Sequence, residues 1–171
     1  MRQVDMGLEA ERLRALETTG LLSGGPSGEF QEICRRAARR FGVPVAMVTL
    51  VGEDKLLVKA RVGTDLDEAP RLHQFCDAAV LDREVLVVPD ASRDRRFAGN
   101  PMVAGEPFIR FYAGAPLAYV RDIRLGALCL LDTVPRDLET ADKAELERMA
   151  DEVVSLVIDR EFDRMAADLF H

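Results

Sequence analysis

Tryptophan is absent from this sequence, tyrosine and histidine occur twice each, and lysine is confined to Lys55, Lys59 and Lys143. With only His73 and His171 available, there is little material for imidazole-driven acid–base chemistry. Cysteine is also scarce: Cys34, Cys76 and Cys129 are an odd number, widely spaced, with no CxxC pair. That usage fits a reducing cytoplasm better than a disulfide scaffold. No long apolar run exists. The longest, Val43–Val51, spans nine residues and contains Pro44, whereas a membrane-crossing helix needs roughly 20. The first residues have no signal-peptide h-region. Positive charge is in deficit, with a net charge of -7, which argues against nucleic acid as a partner because phosphate contacts need clustered cations. Gly, Pro and Gln bias is missing too, and a 48% hydrophobic chain of 171 residues is one ordinary domain with a sizeable core rather than a disordered segment.

What is present is a clear change of period along the chain. Leu8, Leu13 and Leu16 predict a short amphipathic helix ending before Gly20, and Ser23-Gly24-Gly25-Pro26 is a breaker. Ser27 suits an N-cap. Phe30, Ile33, Cys34, Ala37, Ala38 and Phe41 then follow at i, i+3, i+4, i+7, i+8 and i+11, one continuous apolar helix face. Arg35, Arg36, Arg39 and Arg40 take the opposite face, either as a solvated surface or as a basic docking patch. Val43–Val51 reads as a strand buried on both faces, Gly52-Glu53-Asp54 as a turn and Lys55–Val62 as its hairpin partner. Residues 63–84 are irregular, with a short helix near Asp77–Leu81. Val85–Val88 is a third strand, and Pro89–Pro101 is a polar loop too long for a simple connector. Ile109–Leu117 and Arg124–Leu131 form a second hairpin across Arg121-Asp122. A final helix, N-capped by Thr140, runs from Ala141 to about Asp168. It carries one stripe (Leu146, Met149, Val153, Leu156) suited to the sheet. A second stripe (Val154, Ile158, Phe162, Met165, Leu169) suits a partner chain, unless the C-terminus frays or packs back on the first helix. Hairpins dominate this order, so the fold class is α+β, with a mostly antiparallel sheet and helices packed on it.

The usual catalytic signatures are missing. No P-loop, G-x-S-x-G or H-E-x-x-H motif occurs, and Gly24-Gly25-Pro26-Ser27-Gly28 lacks the lysine a P-loop requires. His73-Gln74-Phe75-Cys76 has a spacing that a metal could use with Cys129 as a distant ligand. Structural zinc, however, favours closely paired ligands, and both cysteines also read as small buried hydrophobes. Two segments mix polar and aromatic groups deliberately: the loop carrying Asp90, Arg95, Phe97 and Asn100, and the strand around Arg110 and Tyr112. Buried, Arg110 and Tyr112 need partners. Either Arg110 pairs with Asp90 or Asp94, or the group lines a pocket for an anionic or aromatic ligand.

At these residues the chain resembles a GAF domain of the bacterial sensory type. The markers, in order, are Leu13-Arg14-Ala15-Leu16, Gly20-Leu21-Leu22, Phe41-Gly42-Val43-Pro44, Val48-Thr49-Leu50-Val51, Phe75-Cys76, Val88-Pro89-Asp90-Ala91, Arg96-Phe97-Ala98-Gly99-Asn100-Pro101, Ile109–Leu117 and Gly126–Asp132. The resemblance covers roughly residues 8 to 157. It implies a six-stranded antiparallel sheet between helices, a small-molecule pocket roofed by the irregular segments, and dimerisation through terminal helices. It also implies a context of histidine kinases, diguanylate cyclases or phosphodiesterases. On that basis the ligand-lining residues are Phe75, Cys76, Asp90, Phe97, Asn100, Arg110 and Tyr112, with no catalytic residue, cofactor or metal. Departures from the family's branches matter. Cys76 is followed by Asp77-Ala78 rather than by a small residue and His, no Cys-His pair exists for a bilin, and neither Asn-Lys-Phe-Asp-Glu nor Gly-Val-Cys-Gly is present.

The expected organisation is an N-terminal helix and linker (1–26), the sensor domain (27–157) and an extension of the last helix (158–171). The chain is expected to act in the cytoplasm as a homodimer, delivering its signal to an output domain or protein. No kinase or cyclase module follows, which fits either a stand-alone domain or a piece of a larger regulator. The competing readings are a docking or dimerisation module that binds no ligand, and a thiol enzyme built on Cys76.

Overall fold

Helix formation between residues 28 and 41 follows directly from the apolar period, and its ends are both satisfied chemically. In the computed structural model, described over residues 6–23, 27–71, 75–81 and 83–170, helix α2 (Gly28–Phe41) begins where the Ser27 side chain accepts a hydrogen bond from the Phe30 N–H. It ends at Gly42, whose left-handed φ of 63° lets its N–H reach the Ala38 carbonyl, a conformation that costs glycine little. Phe30, Ile33, Cys34 and Ala37 are buried, and burying such side chains stabilises by about 1.5–3 kcal/mol each for the large ones. The four arginines face solvent, and Arg36 pairs with Glu152. The Gly24-Gly25-Pro26 breaker lies outside the described residues.

Helix α1 (Met6–Thr18) precedes α2. Its apolar stripe is shorter than expected: Leu16 is buried but Leu8 is exposed, and the second residue it buries is Arg12. The strands are β1 (Val45–Val51), β2 (Lys55–Val62), β3 (Glu68–Pro70), β4 (Leu86–Val88), β5 (Phe111–Tyr119) and β6 (Ile123–Asp132). They form one six-stranded sheet in the order β3-β2-β1-β6-β5-β4, antiparallel at every pairing. The β5–β6 turn has Arg121 and Asp122 both at φ 59°, the twist that tight hairpins favour. Strand β3 is absent from the sequence reading, because three residues ending in proline at a sheet edge carry no period.

Alternation along the strands sorts the core into two layers. Ala46, Val48 and Leu50 of β1, with Phe111, Ala113, Ala115 and Leu117 of β5, face α2 and the last helix. Met47 and Val51 of β1, Tyr112 of β5, and Ala127, Cys129 and Leu131 of β6 face the other way. There they meet helix α3 (Phe75–Val80), a 3-10 turn (Ala91–Arg93) and the one-turn helix α4 (Pro101–Ala104). The sheet is thus covered by long helices on one side and by a roof of short elements on the other.

Helix α5 (Thr140–Leu169) has 30 residues, about 45 Å at 1.5 Å per residue. Its N-cap is Glu139 rather than Thr140. The Glu139 side chain and Asp142 exchange hydrogen bonds with each other's backbone in a capping box, so the acid three residues on selects the cap. Leu146, Met149, Ala150, Val153, Val154 and Val157 are buried. The buried face is wider than a single heptad stripe, and it takes in Val154, which therefore does not belong to the exposed stripe. Beyond Val157 the helix outruns the sheet, leaving Ile158, Phe162, Met165 and Leu169 exposed by 40%, 72%, 64% and 80%. The inner side of this overhang is tied back by polar contacts: Arg160 donates to Ser27, Arg164 to the Thr18 carbonyl, and Glu161 accepts from the Tyr119 hydroxyl at the end of β5. No helix among the described residues is long and apolar enough to cross a membrane.

Candidate functional site

The roof is positioned by side chains that cap its short elements. Asp90 precedes the 3-10 turn, and its Oδ1 accepts from the Ser92 N–H at 3.1 Å and the Ser92 hydroxyl at 2.6 Å. That hydrogen bonding, ahead of the nearby charges of Arg93 and Arg110, holds the Asp90 carboxyl below its ordinary value. Asn100 is buried and caps α4, its Oδ1 accepting from the Met102 N–H at 2.8 Å. Arg110 lies just before β5. Its Nη1 donates to the carbonyls of Val103 and Ile109, each at 3.0 Å, clamping α4 to the start of the strand. The guanidinium thus makes carbonyl contacts in place of the ion pair with Asp90 or Asp94 that the sequence left open.

Three rings fill the space between roof and sheet. Phe75 of α3 stacks on Tyr112 of β5 with centroids 4.7 Å apart and an interplanar angle of 13°. Phe97 packs on Phe75 with centroids 4.5 Å apart and the rings tilted by 31°, and the Arg96 guanidinium lies 4.9 Å over Phe97. All three rings are buried, Tyr112 to 1% exposure. Tyr112 can lie along the sheet because the same-face residue two positions on is Gly114, where a Cβ would run into the tyrosine ring. Gly114 sits opposite Cys129 in the β5–β6 ladder, so the ring carries its hydroxyl to that cysteine.

Four polar groups converge beneath the ring stack. Thr49 Oγ1 of β1 donates to Cys76 Sγ at 3.2 Å and lies 3.7 Å from Cys129 Sγ. The Tyr112 hydroxyl donates to Cys76 Sγ at 3.4 Å and lies 3.3 Å from Cys129 Sγ. The two sulfurs are 3.1 Å apart, and both cysteines are buried and free. Hydrogen bonds from Cys129, and then from Thr49 and Tyr112, lower the Cys76 thiol against the effect of burial. Burial pushes Cys129 well above its ordinary value, and it does the same to Tyr112, with the neighbouring sulfurs adding to both. Among the described residues, no group of three His, Cys, Asp or Glu side chains is placed to hold a metal ion; His73 and Gln74 lie outside them.

Of the seven residues expected to line a ligand pocket, Phe75, Cys76, Phe97 and Tyr112 meet in one buried cluster. Asp90, Asn100 and Arg110 brace the roof around it. Cavities open on the helical side. One, of about 300 Å³, lies where the α1–α2 connection, β2 and α5 meet, and is lined in part by Lys59, Arg160 and Arg164.

An ionic chain that the sequence reading missed ties the roof to α1. Asp77 of α3 accepts from Arg71 Nε at 2.6 Å, and Arg71 Nη1 donates to Glu9 at 2.5 Å and to the Gly52 carbonyl at 3.0 Å. Glu9 also takes two hydrogen bonds from Arg12 at 2.9 Å, while Arg12 reaches the Val51 carbonyl at 2.7 Å. Arg124 adds a further anchor to α3, its Nε donating to the Val80 carbonyl at 2.5 Å. The pairing of Glu9 with Arg71 spans 62 positions, so no local spacing announces it.

Comparison with known proteins bears on this arrangement as a whole. The sequence model of the GAF domain family matches residues 26–157. Cyclic di-GMP phosphodiesterase PA2567 of Pseudomonas aeruginosa is 41% identical over 143 residues, which are 83% of this chain and 24% of that protein. The chain therefore spans about a quarter of that relative's length. The GAF domain of an Acinetobacter phosphoenolpyruvate-protein phosphotransferase superposes with a TM-score of 0.66 at 19% identity, covering 92% of this chain and 95% of that one. A type II free methionine-R-sulfoxide reductase from Thermoplasma acidophilum superposes at 0.63 with 18% identity, covering 89% and 96%. At such identities these two likenesses concern the fold alone.

Proposed function

The chain belongs to the GAF family, in a bacterial signalling context, and from that premise we propose that it is a small-molecule-responsive regulatory module rather than a catalyst. A ligand taken up beneath the roof is relayed to terminal helices that pair with a second copy. The observation that carries this reading is helix α5. Up to Val157 it is fastened to the sheet by Leu146, Met149, Val153 and Val157, and beyond that point, while its inner side is tied back by Arg160, Glu161 and Arg164, its outer side leaves Ile158, Phe162, Met165 and Leu169 exposed. The spacing of these four, i, i+4, i+7 and i+11, is that of a two-helix seam, and a second α5 is the occupant that matches it. The ligand site is formed by Phe75, Cys76, Asp90, Phe97, Asn100, Arg110 and Tyr112. Binding biases the arrangement of α5 to the extent that it favours one position of the roof over another. The resemblance to part of a cyclic di-GMP phosphodiesterase supports a role in which such a module governs an output activity located elsewhere.

The experiment is a mass measurement by light scattering over a concentration series, on the full chain and on Phe162→Asp. A dimer that becomes a monomer in the variant, with far-ultraviolet dichroism unchanged, is the expected result. A monomer for the unmodified chain at all concentrations contradicts the dimer. A second reading is favoured by the ring stack: Phe75, Phe97 and Tyr112 already occupy the interior, as they would in a module that docks or dimerises without a ligand.

A further inference from the structure

We propose that Cys76 and Cys129 are a reversible oxidation site: a hydroperoxide converts them to an intramolecular disulfide that staples the roof helix α3 to strand β6. The sulfurs already lie 3.1 Å apart, so a bond of about 2.05 Å requires an approach of about 1 Å. Their surroundings are polar in an otherwise apolar layer. Thr49 and Tyr112 both place hydroxyls against the two sulfurs and donate to Cys76, which favours the thiolate that must act as nucleophile. Cys34 provides an internal contrast. It belongs to α2, buried against the opposite face of the sheet, and burial pushes its thiol up to about 12.

The steps balance. The Cys76 thiolate attacks one peroxide oxygen, the O–O bond breaks, and Cys76 becomes a sulfenic acid. The departing hydroxide takes up the proton Cys76 had released and leaves as water. Cys129 sulfur then attacks Cys76 Sγ, the S–S bond forms, the S–O bond breaks, and the leaving hydroxide carries away the Cys129 proton as a second water. Two thiols lose two electrons in total, and one hydrogen peroxide becomes two waters. A dithiol reverses the change. Both sulfurs are buried, so reaction follows opening of the six-residue α3, and the staple then prevents that opening. Because α3 also carries Asp77, bonded through Arg71 to Glu9, oxidation fixes the end of the ionic chain leading to α1. None of this depends on whether the roof binds a ligand.

The test treats the full reduced chain with hydrogen peroxide and follows intact mass, free thiols and tryptic peptides. The expected product is 2 Da lighter, has one remaining thiol, contains a Cys76 peptide linked to a Cys129 peptide, melts several degrees higher, and returns to the starting mass with dithiothreitol. Cys129→Ser should stop at a Cys76 sulfenic acid that dimedone traps, and Cys76→Ser should leave Cys129 unmodified. Oxygen addition at Cys76 of the unmodified chain without a cross-link would overturn the proposal. So would a cross-link involving Cys34, or no reaction under conditions that oxidise the urea-unfolded chain.

Discussion

Replacing Glu9 by Gln probes the ionic chain between roof and α1 with a sign and a pH window fixed in advance. Burial, the largest single influence on the Glu9 carboxyl, raises it; hydrogen bonds from Arg12 and Arg71, with their charges, outweigh that effect and bring it from 4.5 to about 2. A native value below the unfolded one means stability that is fully present above pH 4.5 and is lost as pH falls through about 2. The separation corresponds to roughly 3 kcal/mol. The carboxylate is 20% exposed, and solvent screening reduces the contribution to about 1–2 kcal/mol. In Glu9→Gln, Arg12, with a side chain only 9% exposed, keeps its charge and loses its counter-ion, whereas Arg71 retains Asp77. Urea midpoints at pH 7, 4.5 and 3 should show the variant less stable by about 1–2 kcal/mol at pH 7, with the gap narrowing below pH 4.5. A difference that is the same at pH 7 and pH 3 would refute the assignment of this linkage to Glu9.

Two further substitutions test the packing beneath the roof. Gly114→Ala places a Cβ against the Tyr112 hydroxyl and, behind it, the ring carbons Cζ and Cε1; overpacking of this kind should destabilise by about 1–3 kcal/mol, read as a lowered urea midpoint, and Tyr112→Phe, which removes the nearest atom but leaves the ring, should relieve part of that cost. Asn100→Ala removes the cap of α4 and should cost about 0.5–2 kcal/mol, with hydrogen exchange accelerated first at the Met102 amide.

The long elements were legible because each writes its own period. Phe30 to Phe41 spells the buried face of α2, and Val45–Val51 with Lys55–Val62 spells a hairpin whose register the Gly52-Glu53-Asp54 turn determines. The second hairpin is marked likewise by Arg121-Asp122 between two apolar runs. What escaped reading depends on partners remote in the chain. Arg12 looks like a surface residue of an amphipathic helix until the Val51 carbonyl and Glu9 are placed around it. Cys76 and Cys129 are 53 positions apart, and only the β5–β6 register with α3 folded over it brings their sulfurs together. At the candidate site, residue types alone marked Phe97 and Tyr112, and it took the resemblance to the GAF family to add Phe75 and Cys76 to the same set. The bracing tasks of Asp90, Asn100 and Arg110 depend on where the short roof elements begin and end, which local composition does not encode.

Uptake of a small molecule beneath the roof is read from the melting temperature of the full chain against a panel of nucleotides, second messengers and organic metabolites. A compound present at 100 times its dissociation constant adds about 2.7 kcal/mol, roughly 5–10 °C for a domain of this size. At least one such shift, abolished by Tyr112→Ala or Phe97→Ala, is expected. Unchanged melting across the panel would contradict it and leave the ring stack as the permanent filling of a docking module.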